Sequence, residues 1–245
     1  AVTTWYRRTV TSGGCSSIAT SIQITVNPRP TSTLSLAGSS PICNGSTSKL
    51  QISFSGGGPY IYSINGGAEV TQTNNPEIIT VNPSTTTTYT VTSLRNSNCT
   101  AQPADMVGSI TITVNPLPVL TSPLTATTCS NQPFTYTPSF STGSTNYTWT
   151  RAAVAGISNA PATKTNNPIN EILVNTTMLP IDVVYKFDLN NGCTNTQNVT
   201  VTVNPTPDFT VSADKTEVCE GDAITISANP GSVAGTTYSL SYVSG

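Results

Sequence analysis

One phrase occurs three times in this chain: SIQITVNPRP at 21–30, SITITVNPLP at 109–118 and NVTVTVNPTP at 198–207. Its asparagines, Asn27, Asn115 and Asn204, lie 88 (115 − 27) and 89 (204 − 115) residues apart. That interval is close to the size of a small sandwich domain, so the phrase marks domain boundaries. Each copy opens with apolar residues at every second position: Ile22, Ile24 and Val26; Ile110, Ile112 and Val114; Val199, Val201 and Val203. Such alternation describes a strand with one buried and one wet face. The Asn-Pro-x-Pro that follows cannot continue a sheet, because proline lacks the amide hydrogen and holds the preceding residue extended. It reads as a short, semi-rigid hinge.

Between phrases the order of segments recurs. After each linker comes a cysteine in a turn, CNGS (43–46), CSNQ (129–132) or CEGD (219–222), and then an alternating strand with Leu50, Ile52 and Phe54, with Phe134 and Tyr136, or with Ile224 and Ile226. A strand carrying aromatics follows, YIYSI (60–64), YTWT (147–150) or TYSLSY (237–242). Later TTTTYTVTSL (85–94) and VVYKFDL (183–189) lead to a second cysteine, Cys99 or Cys193. Only 8% of residues are charged, and Thr, Ser, Asn, Val and Ile dominate, a composition that favours pleated strands over helices. The expected fold is all-β: tandem immunoglobulin-like or PKD-like antiparallel β-sandwiches in a linear array, about seven strands each.

The expected division is 28–116 and 117–205 as whole repeats, 1–27 as the closing hairpin of another, and 206–245 as the opening strands of a fourth. A lone hairpin is marginal in water. The native polypeptide is therefore expected to run past both ends; completion of a shared sandwich by the tail of one copy and the head of the next is the alternative.

The segments YTWTRAAVAGISNA (147–160), VCEGDAITISA (218–228) and TTTTYTVTSLRNSNC (85–99), with the VNPxP linkers, resemble the PKD-like and immunoglobulin-like repeats of very large cell-surface proteins in Bacteroidetes. The resemblance implies an extracellular adhesin or surface filament exported by the type IX system, in some cases tied to gliding motility. Its implied partners are neighbouring repeats, other cell-surface proteins or extracellular polysaccharide.

Six cysteines in such a sequence point to an oxidising compartment. One pairing is intradomain, Cys43 with Cys99 and Cys129 with Cys193, leaving Cys15 and Cys219 to partners outside the chain. A second follows from strand geometry. A cysteine between the first two strands sits at the opposite pole from one between the last two, which favours Cys43 with Cys193. A third joins sequence neighbours such as Cys15 and Cys43.

There is no histidine and no CxxC, so histidine-based triads and zinc sites have no residues to build them. Asp214, Glu217, Glu220 and Asp222 could ligate calcium, yet they lack EF-hand spacing and read as a solvated turn. The NGG at 65–67 reads as a hairpin turn, not a phosphate cradle. A net charge of −2 without a basic cluster gives no footprint for nucleic acid or anionic membrane, and no apolar run is long enough to span a bilayer. Among the aromatics, Trp149 and Tyr147 are candidate glycan contacts, although their alternation fits core packing better. The function expected is a non-catalytic stalk or filament segment of a large secreted surface adhesin. The alternative is a polysaccharide-binding module of an adhesin or of a large secreted hydrolase.

Overall fold

A computed structural model describes residues 2–143 and 145–230, together with Thr237, Ser239 and Ser241. The expected aromatic strand at 237–242, with Leu240, thus lies largely outside the described residues. The chain divides into two compact units, Ala1–Pro116 and Leu117–Gly245.

The first unit begins with β1 (Thr4–Tyr6), β2 (Thr9–Ser12), β3 (Cys15–Ile18) and β4 (Ile22–Ile24). β1 pairs with β4 and β2 with β3, a bent hairpin in which every strand residue is exposed. Then come β5 (Thr31–Leu36), β6 (Ile42–Cys43), β7 (Ser48–Ser55), β8 (Tyr60–Ile64), β9 (Val70–Gln72), β10 (Glu77–Val81), β11 (Thr87–Arg95), β12 (Met106–Val107), β13 (Ser109–Ile112) and β14 (Val114–Asn115). One sheet runs β10-β7-β5-β12 and the other β13-β11-β8-β9. Their inward parities supply the core: Leu34, Leu50, Ile52 and Phe54 from one sheet meet Tyr60, Tyr62, Val91, Leu94 and Ile112 from the other. Phe54 stacks on Tyr60 at 4.5 Å.

Two local features shape this unit. Asn65 and Gly66 take positive φ (50° and 71°), and the Gly67 N–H closes onto the Ile64 carbonyl at 2.9 Å. That is the type I′ geometry an Asn-Gly pair favours. Gly108, at φ 104°, lets the closing strand leave β5 and join β11; a Cβ there would stand 2.3 Å from the Leu34 carbonyl oxygen.

The second unit contains β15 (Thr125–Cys129), β16 (Pro133–Tyr136), β17 (Asn146–Arg151), β18 (Ala162–Thr165), β19 (Ile169–Ile172), β20 (Ile181–Asn190) and β21 (Thr194–Asn204), followed by the exposed β22 (Phe209–Ala213) and its partner β23 (Ile226–Pro230). A five-stranded sheet, β15-β21-β20-β17-β18, faces the pair β16-β19. Between them lie Phe134, Trp149, Ile169, Leu173, Val183, Tyr185, Phe187, Val199 and Val201.

Each unit therefore contains an immunoglobulin-like β-sandwich, and among the described residues the helical structure is a single 3₁₀ turn, Pro103–Asp105. The sandwiches are antiparallel except at three pairings, β12 with β5, β14 with β6 and β15 with β21. In a sandwich whose first and last strands run the same way, the opening strand can meet the closing strand only in parallel.

Candidate functional site

The repeated phrase and the first cysteine turn are two halves of one structure. The Asn44 N–H donates to the Asn115 carbonyl at 2.9 Å, and the Ser130 N–H donates to the Asn204 carbonyl at 2.8 Å. The asparagine before each proline thus supplies the last acceptor of its strand. The proline that follows, with no amide to satisfy, ends the ladder there. Beneath the second copy, Asn175 Nδ2 donates to the Val203 and Leu179 carbonyls at 2.9 and 2.8 Å, and its backbone N–H donates to Ser130 Oγ at 3.0 Å.

At the other pole each sandwich holds its own incoming linker. Arg29 Nε donates to Asp105 Oδ2 at 2.8 Å, and the same carboxylate accepts the Gln102 N–H. The Gln102 amide and the Arg29 guanidinium hold the Asp105 carboxyl below its ordinary range. In the second unit Asn195 Nδ2 donates to the Pro118 carbonyl at 2.9 Å, and Gln197 Oε1 accepts the Leu120 N–H at 2.6 Å. Asn96 organises the turn before Cys99 by accepting from the Asn98 and Cys99 amides and donating to the Gly56 and Gly57 carbonyls. Linker and turn are separate signals in the sequence, and their equal recurrence is the clue that they bond.

Cys43 and Cys193 each belong to a disulfide, whereas Cys15, Cys99, Cys129 and Cys219 carry free thiols. The intradomain pairs Cys43–Cys99 and Cys129–Cys193, and the neighbour pair Cys15–Cys43, are accordingly not formed. The reason is distance along a strand. Cys129 stands opposite Asn204 at one end of β21, and Cys193 directly precedes its other end, 11 residues away in strand length. At ~3.3 Å per residue that separation is several times the reach of a disulfide. Cys43 likewise lies opposite Asn115, whereas Cys99 follows β11 at the linker pole, its Sγ 3.7 Å from the Asn27 carbonyl.

The second unit also carries a buried ionic cluster. Tyr147, Trp149 and Arg151 share one parity of β17, so Arg151 points inward with 1% of its side chain exposed. Its Nε and Nη2 donate to the two Glu171 oxygens at 2.9 and 3.1 Å, and Nη2 also donates to the Ala160 carbonyl at 2.7 Å. The Tyr185 hydroxyl donates to Glu171 Oε2 at 2.6 Å. Burial opposes ionisation of Glu171, but the bonds from Arg151 and Tyr185 prevail and hold its carboxyl below the ordinary range. Burial first, and then the neighbouring carboxylate, raise the Tyr185 phenol. Above the cluster a cleft of about 280 Å³ opens at the side of the sandwich, lined by Trp149, Lys164, Asn167, Pro168, Asn170 and Glu171.

Trp149 is 2% exposed, its ring edge-on to Tyr185 at 5.5 Å and its indole N–H donating to the Asn167 carbonyl at 2.8 Å. A ring so enclosed offers no face to a sugar, which corrects its reading as a stacking contact. Tyr147 is half-buried against Phe140 and Phe187. Of the acidic group in the tail, Asp214 accepts the Thr225 N–H and Asp222 the Cys219 N–H. Among the described residues no three acidic or cysteine side chains gather as a metal site, and no helix there is long and apolar enough to cross a membrane.

No known protein family and no curated protein matches the chain. Among solved structures it is similar to the first two immunoglobulin domains of DIP-gamma, at 11% identity over 71% of this chain and 97% of that one, with a TM-score of 0.33. The N-terminal Ig1-2 module of the Drosophila receptor protein tyrosine phosphatase DLAR matches at 13% identity, over 71% and 99% of the two chains, with a TM-score of 0.24. The extracellular cadherin domains 3–6 of protocadherin gamma B2 match at 10% identity, over 93% and 68%, with a TM-score of 0.33. Identities this low carry no residue's role from those proteins to this one.

Proposed function

We propose that the chain is a non-catalytic structural segment, stalk or filament, of a large secreted bacterial surface adhesin. In this reading 28–116 and 117–205 are whole repeats, and 1–27 and 206–245 belong to further ones. The observation that carries it is the recurrent pole. An Asn carbonyl at position 115 and again at 204, 89 residues on, is tied to a cysteine turn and followed by a proline linker. That device terminates a sandwich and directs the chain onward. Disulfide-bonded Cys43 and Cys193 fit an oxidising exterior. The resemblance to Bacteroidetes surface repeats supplies the finer terms: type IX export and, in some members, gliding.

Localisation tests the reading. Antibodies raised against residues 28–205 are expected to label intact, unpermeabilised cells, with the signal removed by protease shaving. Labelling confined to permeabilised cells sinks it. The alternative, polysaccharide binding, loses its Trp149 stacking face but gains the polar cleft beside it.

A further inference from the structure

We propose that the side cleft of the second sandwich binds a single sugar-acid residue, a hexuronate, independently of the stalk reading above. Its shape follows from the two sheets. Lys164 lies opposite Trp149 in the β17–β18 register, so it shares the inward parity of that edge strand. Glu171 is on the half-buried parity of β19, which alternates with exposed residues. Where most inward positions of this sandwich carry apolar side chains, these two bring an ammonium and a carboxylate to the cleft, which Trp149 also lines. Edge strands often carry an inward lysine simply to block strand addition. That role explains Lys164 but not the cavity or the amides around it.

The polar groups are matched unequally. Glu171 is held on its inner side by Arg151 and Tyr185, which fixes its direction and leaves further acceptor lone pairs. Among the described residues Lys164 makes no direct ion-pair contact, although its charge acts on Glu171, and the side-chain amides of Asn167 and Asn170, which line the cleft, have no hydrogen-bond partner there. With Arg151 already paired to Glu171, the ammonium of Lys164 is the excess charge at the cleft, which therefore favours an anion. The ligand that uses the whole set has a carboxylate for Lys164, hydroxyl donors for Glu171 and vicinal hydroxyls for two amides. A volume of about 280 Å³ is at the lower limit for small-ligand pockets, which suits one ring and not a chain of them.

The test is NMR titration of the whole protein with sodium glucuronate, glucose, acetate and a soluble polyglucuronate. The Trp149 indole N–H, which reports on the cleft through Asn167, is read against that of Trp5, 63% exposed in the opening hairpin. Glucuronate is expected to shift the Trp149 signal saturably and leave Trp5 still. Glucose should bind more weakly by roughly fivefold, the size of an exposed ion pair, and acetate should not saturate. The exposed substitutions Lys164→Gln and Asn170→Ala are each expected to weaken glucuronate about as much while preserving the fold. A polymer that binds with the per-residue affinity of the monomer locates recognition in one ring. The proposal is overturned by a Trp149 signal that does not saturate, by acetate binding as well as glucuronate, by a Lys164→Gln protein of unchanged affinity, or by a polymer that binds when the monomer does not.

Discussion

Arg151 keeps its charge with only 1% of its side chain in contact with solvent, and the bonds to Glu171 and Ala160 are what make that tolerable. Removing Glu171 leaves a buried cation unpaired, so Glu171→Leu is expected to cost about 3–5 kcal/mol in chemical denaturation, while Arg151→Met with Glu171→Leu and Tyr185→Phe costs far less. The pH dependence has a definite sign. A carboxyl held below its ordinary 4.5 in the folded state contributes its stability above that value and loses it as pH falls through the folded value. Stability of the second unit should therefore decline below about pH 4.5, and Glu171→Gln should flatten that decline; equal slopes in both proteins would refute the assignment. In the first unit Ser32 Oγ is buried with no partner among the described residues, and Ser32→Ala is expected to stabilise by about 1 kcal/mol, read as a raised denaturation midpoint. The alternation of YTWTR sets Arg151 on the parity of Tyr147 and Trp149, a signal present in the sequence that the expectations did not use. Its partner was not legible, because Glu171 lies 20 residues on in a strand with no distinguishing motif.

At the scale of elements, the recurrent alternating segments between residues 48 and 204 are strands in the structure, since alternation is a local property. Their partners are less legible. Parallel and antiparallel neighbours carry the same alternation, so nothing in TATTC announces that β15 joins β21 in parallel. Cysteine pairing depends on the same non-local information, which the spacing of CNGS and CSNQ does not carry. Alkylation of the non-reduced protein followed by peptide mapping checks the outcome. Exposed Cys129 is expected to react quickly and half-buried Cys99 more slowly, while Cys43 and Cys193 stay unmodified until a reductant is added. Label on Cys43 before reduction, or joint protection of Cys99 and Cys129, would contradict it.

For the molecule as a whole, the period of 88 and 89 residues raises the question of whether each repeat folds on its own account. Two hydrophobic clusters are present, one built from residues between Leu34 and Ile112 and one from residues between Leu120 and Val203, with no member in common. Leu50 is fully buried in the first and Val201 in the second. Truncating Leu50 to alanine removes contacts only in its own cluster and is expected to cost about 2–5 kcal/mol there. Native-state hydrogen exchange reads the consequence residue by residue. In Leu50→Ala the amides of β5, β7, β8 and β11 should exchange faster by tenfold or more, each 1.4 kcal/mol being a factor of about ten. Those of β16, β17, β20 and β21 should keep their rates, and Val201→Ala should give the converse pattern. If either substitution speeds exchange equally throughout 28–205, the two repeats share one cooperative core and the boundary at the proline linker is not a folding boundary.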